Sequence, residues 1–524
     1  MQTQTTDVII AGGGLAGLSL AYQLKLNMPD LDILVVERNT FPVPETIAKV
    51  GESTVEIGSH YFTNVLGLKD HFRERHLQKH GLRCFFGEPR DDYSQQDELG
   101  VSELFGIPTY QIDRGVIENY LHAEVCKQGV RVVDGATTRQ IDLGKGKHSI
   151  TVTTSEGEDT FTGSWLIDAA GRQKLIKNKL DLDKPNDHQG NAVWFRIDRK
   201  IVIDDWTDDQ PWRDRLLRPG NRWLSTNHLM GAGYWAWIIP LGTGATSIGI
   251  VMDDQAFEES AIESFDDTMT WLRQHQPKCA DAVEGAELLD FNVIRNYSYG
   301  CKKMFSEEGW ALTGEAGAFT DPFYAPGSDF IAFNNTFICH LVASERQGKD
   351  IRLDSAVFHM FYSSFFENTL SLYTGQYGGF GDRKMMAIKL LWDYAYYWGI
   401  LALLFYKNAI TDIDLIREIN PKLRVAQDLN QQIQMNLRER AKKRLVLPAK
   451  GLFLDQYLIP CLVHFKDILK SGDDVEAKPA LLENVAMLER IAEYLIDMLD
   501  DDASQDISAD ERELFGEYRQ MVLA

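Results

Sequence analysis

Little in this chain is basic. Its 54 lysines and arginines stand against 77 aspartates and glutamates, for a formal net charge of −23. A surface of that sign repels phosphate backbones and anionic lipid head groups, which excludes nucleic acid as an expected partner. Cysteine is scarce. The six, Cys84, Cys126, Cys279, Cys301, Cys339 and Cys461, include no pair at C-x-x-C or metal-ligand spacing. They read as reduced, mostly buried thiols, and no metal site is expected. No apolar run is long enough for a transmembrane segment. The longest, Tyr394 to Tyr406, is short and rich in tyrosine and tryptophan, and predicts a buried or interface-facing helix. Met1 to Asp7 carries no basic or apolar leader. These absences predict a cytoplasmic protein. No internal repeat or low-complexity tract stands out.

What the chain does have is a glycine fingerprint close to its start. Asp7 to Ala11 is an apolar strand, and Leu15 to about Leu26 has a helical pattern. Gly12, Gly14 and Gly17 form G-x-G-x-x-G at the passage from strand to helix. The first allows a tight turn, the second lets backbone approach a pyrophosphate, and the third lets the helix pack closely on the sheet. The helix start then offers N–H groups and a positive dipole to phosphate. Leu31 to Glu37 is the next strand, and Glu37 falls 20 residues beyond Gly17, where a carboxylate accepts from ribose hydroxyls. A dinucleotide is the expected ligand.

Further along, Leu82 to Leu104 is irregular and polar, and Tyr110 to Gln128 predicts a helix. Val130 to Thr162 predicts short strands with a turn at Gly144 to Gly146. Ser164 to Ala170, Ala192 to Ile250 and Trp310 to Thr313 read as strands. Beyond about Asn334 turn residues thin out, and Leu423 to Arg444 and Leu481 to Met498 are helical patterns. The acidic stretch from Asp497 to Glu513 predicts a solvated helix end or loop.

Two further segments decide the cofactor. Asp168-Ala169-Ala170-Gly171-Arg172 resembles the D-[AG]-x-G motif of FAD-dependent monooxygenases. Gly314-Glu315-Ala316-Gly317 through Asp321-Pro322 resembles their G-D-A…D-P segment, with Glu315 replacing the usual aspartate. The resemblance implies FAD, with Glu315 at the ribityl chain and Asp168, Gly171, Asp321 and Pro322 around the cofactor. It also implies an α/β fold: a Rossmann-like FAD-binding domain of the GR2 type, a mixed β-sheet substrate domain and a C-terminal helical region. Residues 1–345 are expected to hold the FAD domain, with substrate-sheet segments at about 82–110 and 190–300, and residues 346–524 the helical region.

Trp235-Ala236-Trp237-Ile238-Ile239-Pro240 matches W-x-W-x-I-P and resembles the signature of flavin-dependent halogenases. Gly51-Glu52-Ser53-Thr54 and Lys79-His80-Gly81-Leu82-Arg83-Cys84-Phe85-Phe86-Gly87 resemble the segments around that family's lysine. By that resemblance Trp235 and Trp237 keep organic substrate off the flavin, and Lys79 receives the electrophilic halogen. The activity implied is a two-component one. Reduced FAD (FADH2) from a flavin reductase, oxygen and a halide co-substrate yield hypohalous acid, which halogenates an electron-rich phenol, pyrrole or indole, free or on a carrier protein.

The chain departs from the family in two places. Tyr324 stands where tryptophan halogenases have glutamate, which fits phenol-type members better. Pro326 has no N–H at the turn that binds halide, which leaves Gly327 and Ser328 as donors, with Asp329 adding a nearby negative charge. Two alternatives therefore stay open: an FAD monooxygenase that hydroxylates without halide, and a catalytically idle flavin-binding interaction protein.

Overall fold

The computed structural model describes residues 3–104, 106–500 and 503–523. The chain forms two compact units, each assembled from three segments. One comprises Met1–His76, Ile112–Asn186 and Ser298–Glu367, and the other Leu77–Gln111, Asp187–Tyr297 and Asn368–Ala524. Residues 368–524 thus group with residues 77–111 and 187–297, where a separate helical region from 346 was expected.

The first unit is built on an eight-stranded sheet. Thr3–Ala11 runs parallel between Gly157–Asp168 and Ile33–Val36, and Trp310–Leu312 and Arg131–Val133 extend it on either side. Strands buried on both faces read as continuous apolar runs: Val8, Ile9, Ile10, Ile33 and Val35 are fully buried. The helix Leu15–Asn27 packs against Arg114–Lys127 and Gly327–Arg346. Asn335, fully buried, ties these elements together: its Oδ1 accepts from Thr313 Oγ1 at 2.7 Å, and its Nδ2 donates to Ser19 Oγ and Tyr61 OH, both at 3.0 Å.

The second unit holds a mixed eight-stranded sheet, in the order Leu288–Ile294, Gly190–Ile197, Thr246–Asp253, Tyr234–Pro240, Thr226–Gly231, Leu82–Phe86, Asp97–Gly100 and Phe453–Asp455. One face carries an apolar core that includes Phe195, Tyr234, Ala236, Ile238, Ile248, Ile250, Trp271 and Leu272. The long helices Arg383–Tyr396, Ile413–Ala441 and Ala477–Leu499 belong to this unit and pack on one another.

Residues 82–104, irregular and polar in pattern and part of the sheet segment expected at about 82–110, contain two paired strands, Leu82–Phe86 and Asp97–Gly100. Buried charges, Arg83 and Glu98 among them, broke the apolar alternation that marks a strand. The helix expected from Leu423 begins at Ile413 and passes through Pro421, with Asp412 capping its start through Leu415 N–H. The acidic stretch is not wholly solvated. Glu511 is 2% exposed and binds Arg519 Nε at 2.5 Å, while Asp497 binds the same guanidinium at 2.6 Å. All six cysteines are free thiols; four are buried, Cys301 is half-buried and Cys126 exposed. Tyr394 to Tyr406 is a largely buried helical run, and no helix among the described residues is long and apolar enough to cross a membrane.

Candidate active site

In the first unit the glycine turn is shaped for a nucleotide. Gly12 has φ +115°, and an added Cβ would stand 2.2 Å from Ala169 O. A Cβ on Gly17 would stand 1.9 Å from Gly12 O, so only glycine lets the helix approach this closely. On Gly14 a Cβ would meet only Glu118 Oε1, at an ordinary contact distance of 4.0 Å, so the backbone there is uncrowded. Gly14 precedes the 13-residue helix without a side-chain cap, which leaves the helix's first N–H groups for an anion. Glu37 follows its strand and accepts from Gly13 N–H at 2.6 Å, Asn39 N–H at 2.9 Å and Asn39 Nδ2–H at 2.7 Å, which leaves about one lone-pair site for a ribose. These residues fit a dinucleotide such as FAD.

Asp168 ends the strand Gly157–Asp168 and is 1% exposed. Its carboxylate accepts from Ala170 N–H at 3.0 Å and Ile176 N–H at 2.9 Å. Burial outweighs those bonds and raises its pKa to about 6. Asp168 therefore anchors the loop that contains Gly171, at φ +59°. Glu315 is ion-paired with Arg172 Nε at 2.9 Å, and its backbone carbonyl accepts from Tyr299 OH at 2.7 Å. Arg172 closes the Asp168–Arg172 motif in the sequence but carries no expected role there; the ion pair with Glu315 gives it one.

Asp321 Oδ1 accepts from Phe323 N–H at 2.8 Å, and Pro322 O from Ala325 N–H at 2.9 Å. The turn then passes through two left-handed non-glycine residues, Tyr324 at φ +70° and Ala325 at φ +54°. Pro326 immediately precedes the helix Gly327–Arg346. Gly327 is exposed, with open space where a Cβ would stand. Ser328 is 8% exposed and lies against Gly58, where a Cβ would come 2.2 Å from Ser328 Oγ. Asp329 Oδ1 accepts from Gly58 N–H at 2.8 Å. Gly51 of the neighbouring segment has φ +95°, and Glu52 O accepts from Ile112 N–H at 2.8 Å.

The second unit assembles the remaining residues. Trp235 and Trp237 lie two apart on the strand Tyr234–Pro240 and so share one face, opposite the apolar core that takes Tyr234, Ala236 and Ile238. They are 1% and 4% exposed, with ring centroids 5.7 Å apart. Trp235 Nε1–H donates to Tyr377 OH at 3.0 Å, and Trp237 Nε1–H to Ser247 Oγ at 3.1 Å. The Trp237 ring lies over Gly249, where a Cβ would come within 2.1 Å of it.

Lys79 closes the short strand Leu77–Lys79, pairs with Thr109 and is 2% exposed. It stands close enough to His228 for its charge to matter. Burial first, and then Lys79, push the His228 pKa down to about 3, so the imidazole is neutral. His228 sits opposite Trp237 across the strand pair, and its ring is 5.5 Å from Trp235. Strand register thus sets His228 beside Trp235 and Trp237, with the Lys79 charge within reach, and sequence reasoning missed His228 because its place depends on that register.

A Rossmann-type cradle with an aromatic-walled sheet face defines a flavoprotein fold, and the comparisons agree. The tryptophan halogenase family pattern matches residues 7–83 and 93–368. The chain belongs to that family of flavin-dependent halogenases. It is similar to flavin-dependent halogenase chlA of Dictyostelium discoideum, 30% identical over 375 residues, which span 62% of this chain and 58% of that protein. It also resembles a pyrrole-2-carbonyl peptidyl-carrier-protein chlorinase of Pseudomonas fluorescens, 23% identical over 64% of this chain and 75% of the other. Among solved structures, halogenase PltM in complex with phloroglucinol and FAD shares the fold with a TM-score of 0.66 at 15% identity, covering 98% of both chains. A flavoprotein/dehydrogenase from Cytophaga hutchinsonii shares it with a TM-score of 0.62 at 18% identity, over 94% of this chain and 99% of that one.

Proposed function

We propose that this chain is a two-component FAD-dependent halogenase. A separate flavin reductase supplies reduced FAD, halide is converted to hypohalous acid, and an electron-rich phenol, pyrrole or indole is halogenated, free or carried on a protein. Bound FAD supplies the oxidising chemistry. Everything else falls to the chain's own residues.

Gly12, Gly14, Gly17 and the helix behind them hold the pyrophosphate, and Glu37 the ribose. Gly171, Glu315, Asp321 and Pro322 shape the flavin end, with Asp168 anchoring the loop beneath. Halide takes the backbone N–H groups of Gly327 and Ser328 at the positive end of a 20-residue helix. Asp329 holds its carboxylate on Gly58 N–H, a bond that orients it but leaves its charge beside the halide turn. Trp235 and Trp237 keep the arene from the oxidising cofactor. The Lys79 ammonium donates a hydrogen bond to the hypohalous acid oxygen and makes the halogen more electrophilic; as a neutral amine it would instead carry the halogen as a haloamine. Tyr324 occupies the place of the carboxylate found in tryptophan halogenases, which points to a phenol-like arene.

The observation that carries this reading is the sheet face where two buried indoles stand beside His228, with the buried Lys79 close enough for its charge to act on the imidazole. A hydroxylase without halide chemistry is the second reading, favoured by Pro326, which withholds one N–H from the halide turn. One reaction separates them. The protein is supplied with FAD, a flavin reductase, NADH, oxygen and bromide over a panel of phenols, pyrroles and indoles, and products are identified by mass. Brominated arene that disappears in Lys79→Ala, with flavin reoxidation intact, supports the halogenase. Hydroxylated arene in bromide-free buffer supports the second reading, and FAD binding without turnover on any arene ends both.

A further inference from the structure

The residues that follow Lys79 are held by one short segment of the same unit. His80 N–H donates to Leu224 O at 3.1 Å, Ser225 Oγ–H donates to His80 O at 3.0 Å, and Thr226 N–H donates to Gly81 O at 3.1 Å. Ser225 is fully buried. Its oxygen also accepts from Arg83 Nε at 3.3 Å. Arg83 is 1% exposed; it donates Nη2 to Val101 O at 2.8 Å and Nη1 to Glu98.

Glu98, fully buried, is shared. It takes a second ion pair from Arg222 Nε at 3.0 Å. Arg222, also fully buried, continues to Asp204 at 2.9 Å and lies 3.5 Å over the Trp212 ring. A continuous chain therefore runs from Asp204 through Arg222, Glu98, Arg83 and Ser225 to the carbonyl beside Lys79. Two arginines and two carboxylates balance in charge. Burying such ions adds little net stability, since an apolar cluster of the same volume often does as well. What an apolar cluster lacks is direction: bidentate guanidinium bonds fix angles as well as contacts.

We propose that Ser225, backed by Arg83, is a positioning residue for Lys79: it fixes the His80 carbonyl and so the direction in which the lysine leaves its strand. The inference rests on the reading of Lys79 as the amine that receives hypohalous acid. Ser225 itself is assigned no contact with substrate or cofactor.

The test uses the full chain with FAD, reductase, NADH, oxygen, bromide and an arene that the parent protein brominates. NADH consumed, brominated arene formed and free hypobromous acid (caught by a cyclic diketone scavenger) are followed together. Ser225→Ala is expected to consume NADH within about twofold of the parent. Brominated arene per NADH falls about tenfold, because a group displaced by a fraction of an ångström loses most of its effect. Scavenged hypobromous acid rises to match, and the loss lies in kcat rather than KM. Ser225→Thr, which keeps the hydroxyl, restores the yield. Arg83→Lys, which keeps a charge near Glu98 but loses the forked reach to Ser225, lowers the yield in the same sense. Parent yield in Ser225→Ala, or equal loss in Ser225→Ala and Ser225→Thr, overturns the inference while leaving the reading of Lys79 intact. Bromination unaffected by Lys79→Ala removes that reading, and the inference with it.

Discussion

The indole N–H of Trp235 and the hydroxyl of Tyr377 meet at 3.0 Å, where the two residues are 1% and 3% exposed. The tyrosine oxygen also lies 3.3 Å from Tyr297 OH. One half of the aromatic wall is thus set by a residue 142 positions away. Removing a buried acceptor costs more than the bond contributes, since the donor keeps its desolvation penalty. Tyr377→Phe is expected to lower stability by about 1–3 kcal/mol, read as a shift in the urea midpoint. The yield of halogenated arene per flavin reoxidised should drop with it.

Trp237 depends on a missing side chain rather than on a bond. With a Cβ at Gly249 only 2.1 Å from the indole, Gly249→Ala has to displace the ring. Overpacking of this kind costs about 1–3 kcal/mol. Halogenation is expected to fall sharply. FAD affinity, which we assign to the first unit's glycine turn, should stay within about twofold; a matched loss of FAD affinity in a fluorescence titration would contradict this assignment.

The nucleotide turn makes the converse prediction. Gly17→Ala puts a methyl 1.9 Å from Gly12 O and pushes the helix off the sheet. FAD affinity should weaken by at least about tenfold, with Trp235 and Trp237 packing unchanged. A variant that binds FAD like the parent would argue against a pyrophosphate at this turn.

His228 predicts a pH dependence. Its pKa is about 3 in the folded chain against the usual 6.5, through burial and then Lys79. Between those values the unfolded chain binds the extra proton. Stability therefore rises with pH across that window, is complete above about pH 6.5, and is lost on acidification toward pH 3. The slope from this one group approaches about 1.4 kcal/mol per pH unit. Urea midpoints at several pH values should show it, and His228→Gln should flatten it. An equal slope in that variant would place the titration elsewhere, for instance at His76, which burial also depresses to about 3.

Much of the candidate site was legible in the sequence because its chemistry is local. A G-x-G-x-x-G turn needs only its own strand and helix, and the structure puts Gly12 and Gly14 between Thr3–Ala11 and Leu15–Asn27 and Gly17 in that helix's first turn. Two tryptophans two residues apart on a strand share a face whatever the strand packs on. Residues 82–104 were harder to read. Arg83 and Glu98 look like solvated charges in one dimension, yet each is buried against the other.

The sequence by itself determined the class of fold, the nucleotide turn and the pairing of Trp235 with Trp237, because φ requirements and the period of a strand are properties of consecutive residues. Only the tertiary structure decided that His228 stands among Lys79 and the indoles, that Tyr377 and Ser247 hold those indoles, and that Ser225 grips the carbonyl next to Lys79. Those relationships depend on strand register and on bonds between distant segments. A shift of one residue in register would turn every side chain to the other face, and no local pattern reports which partner a strand selects.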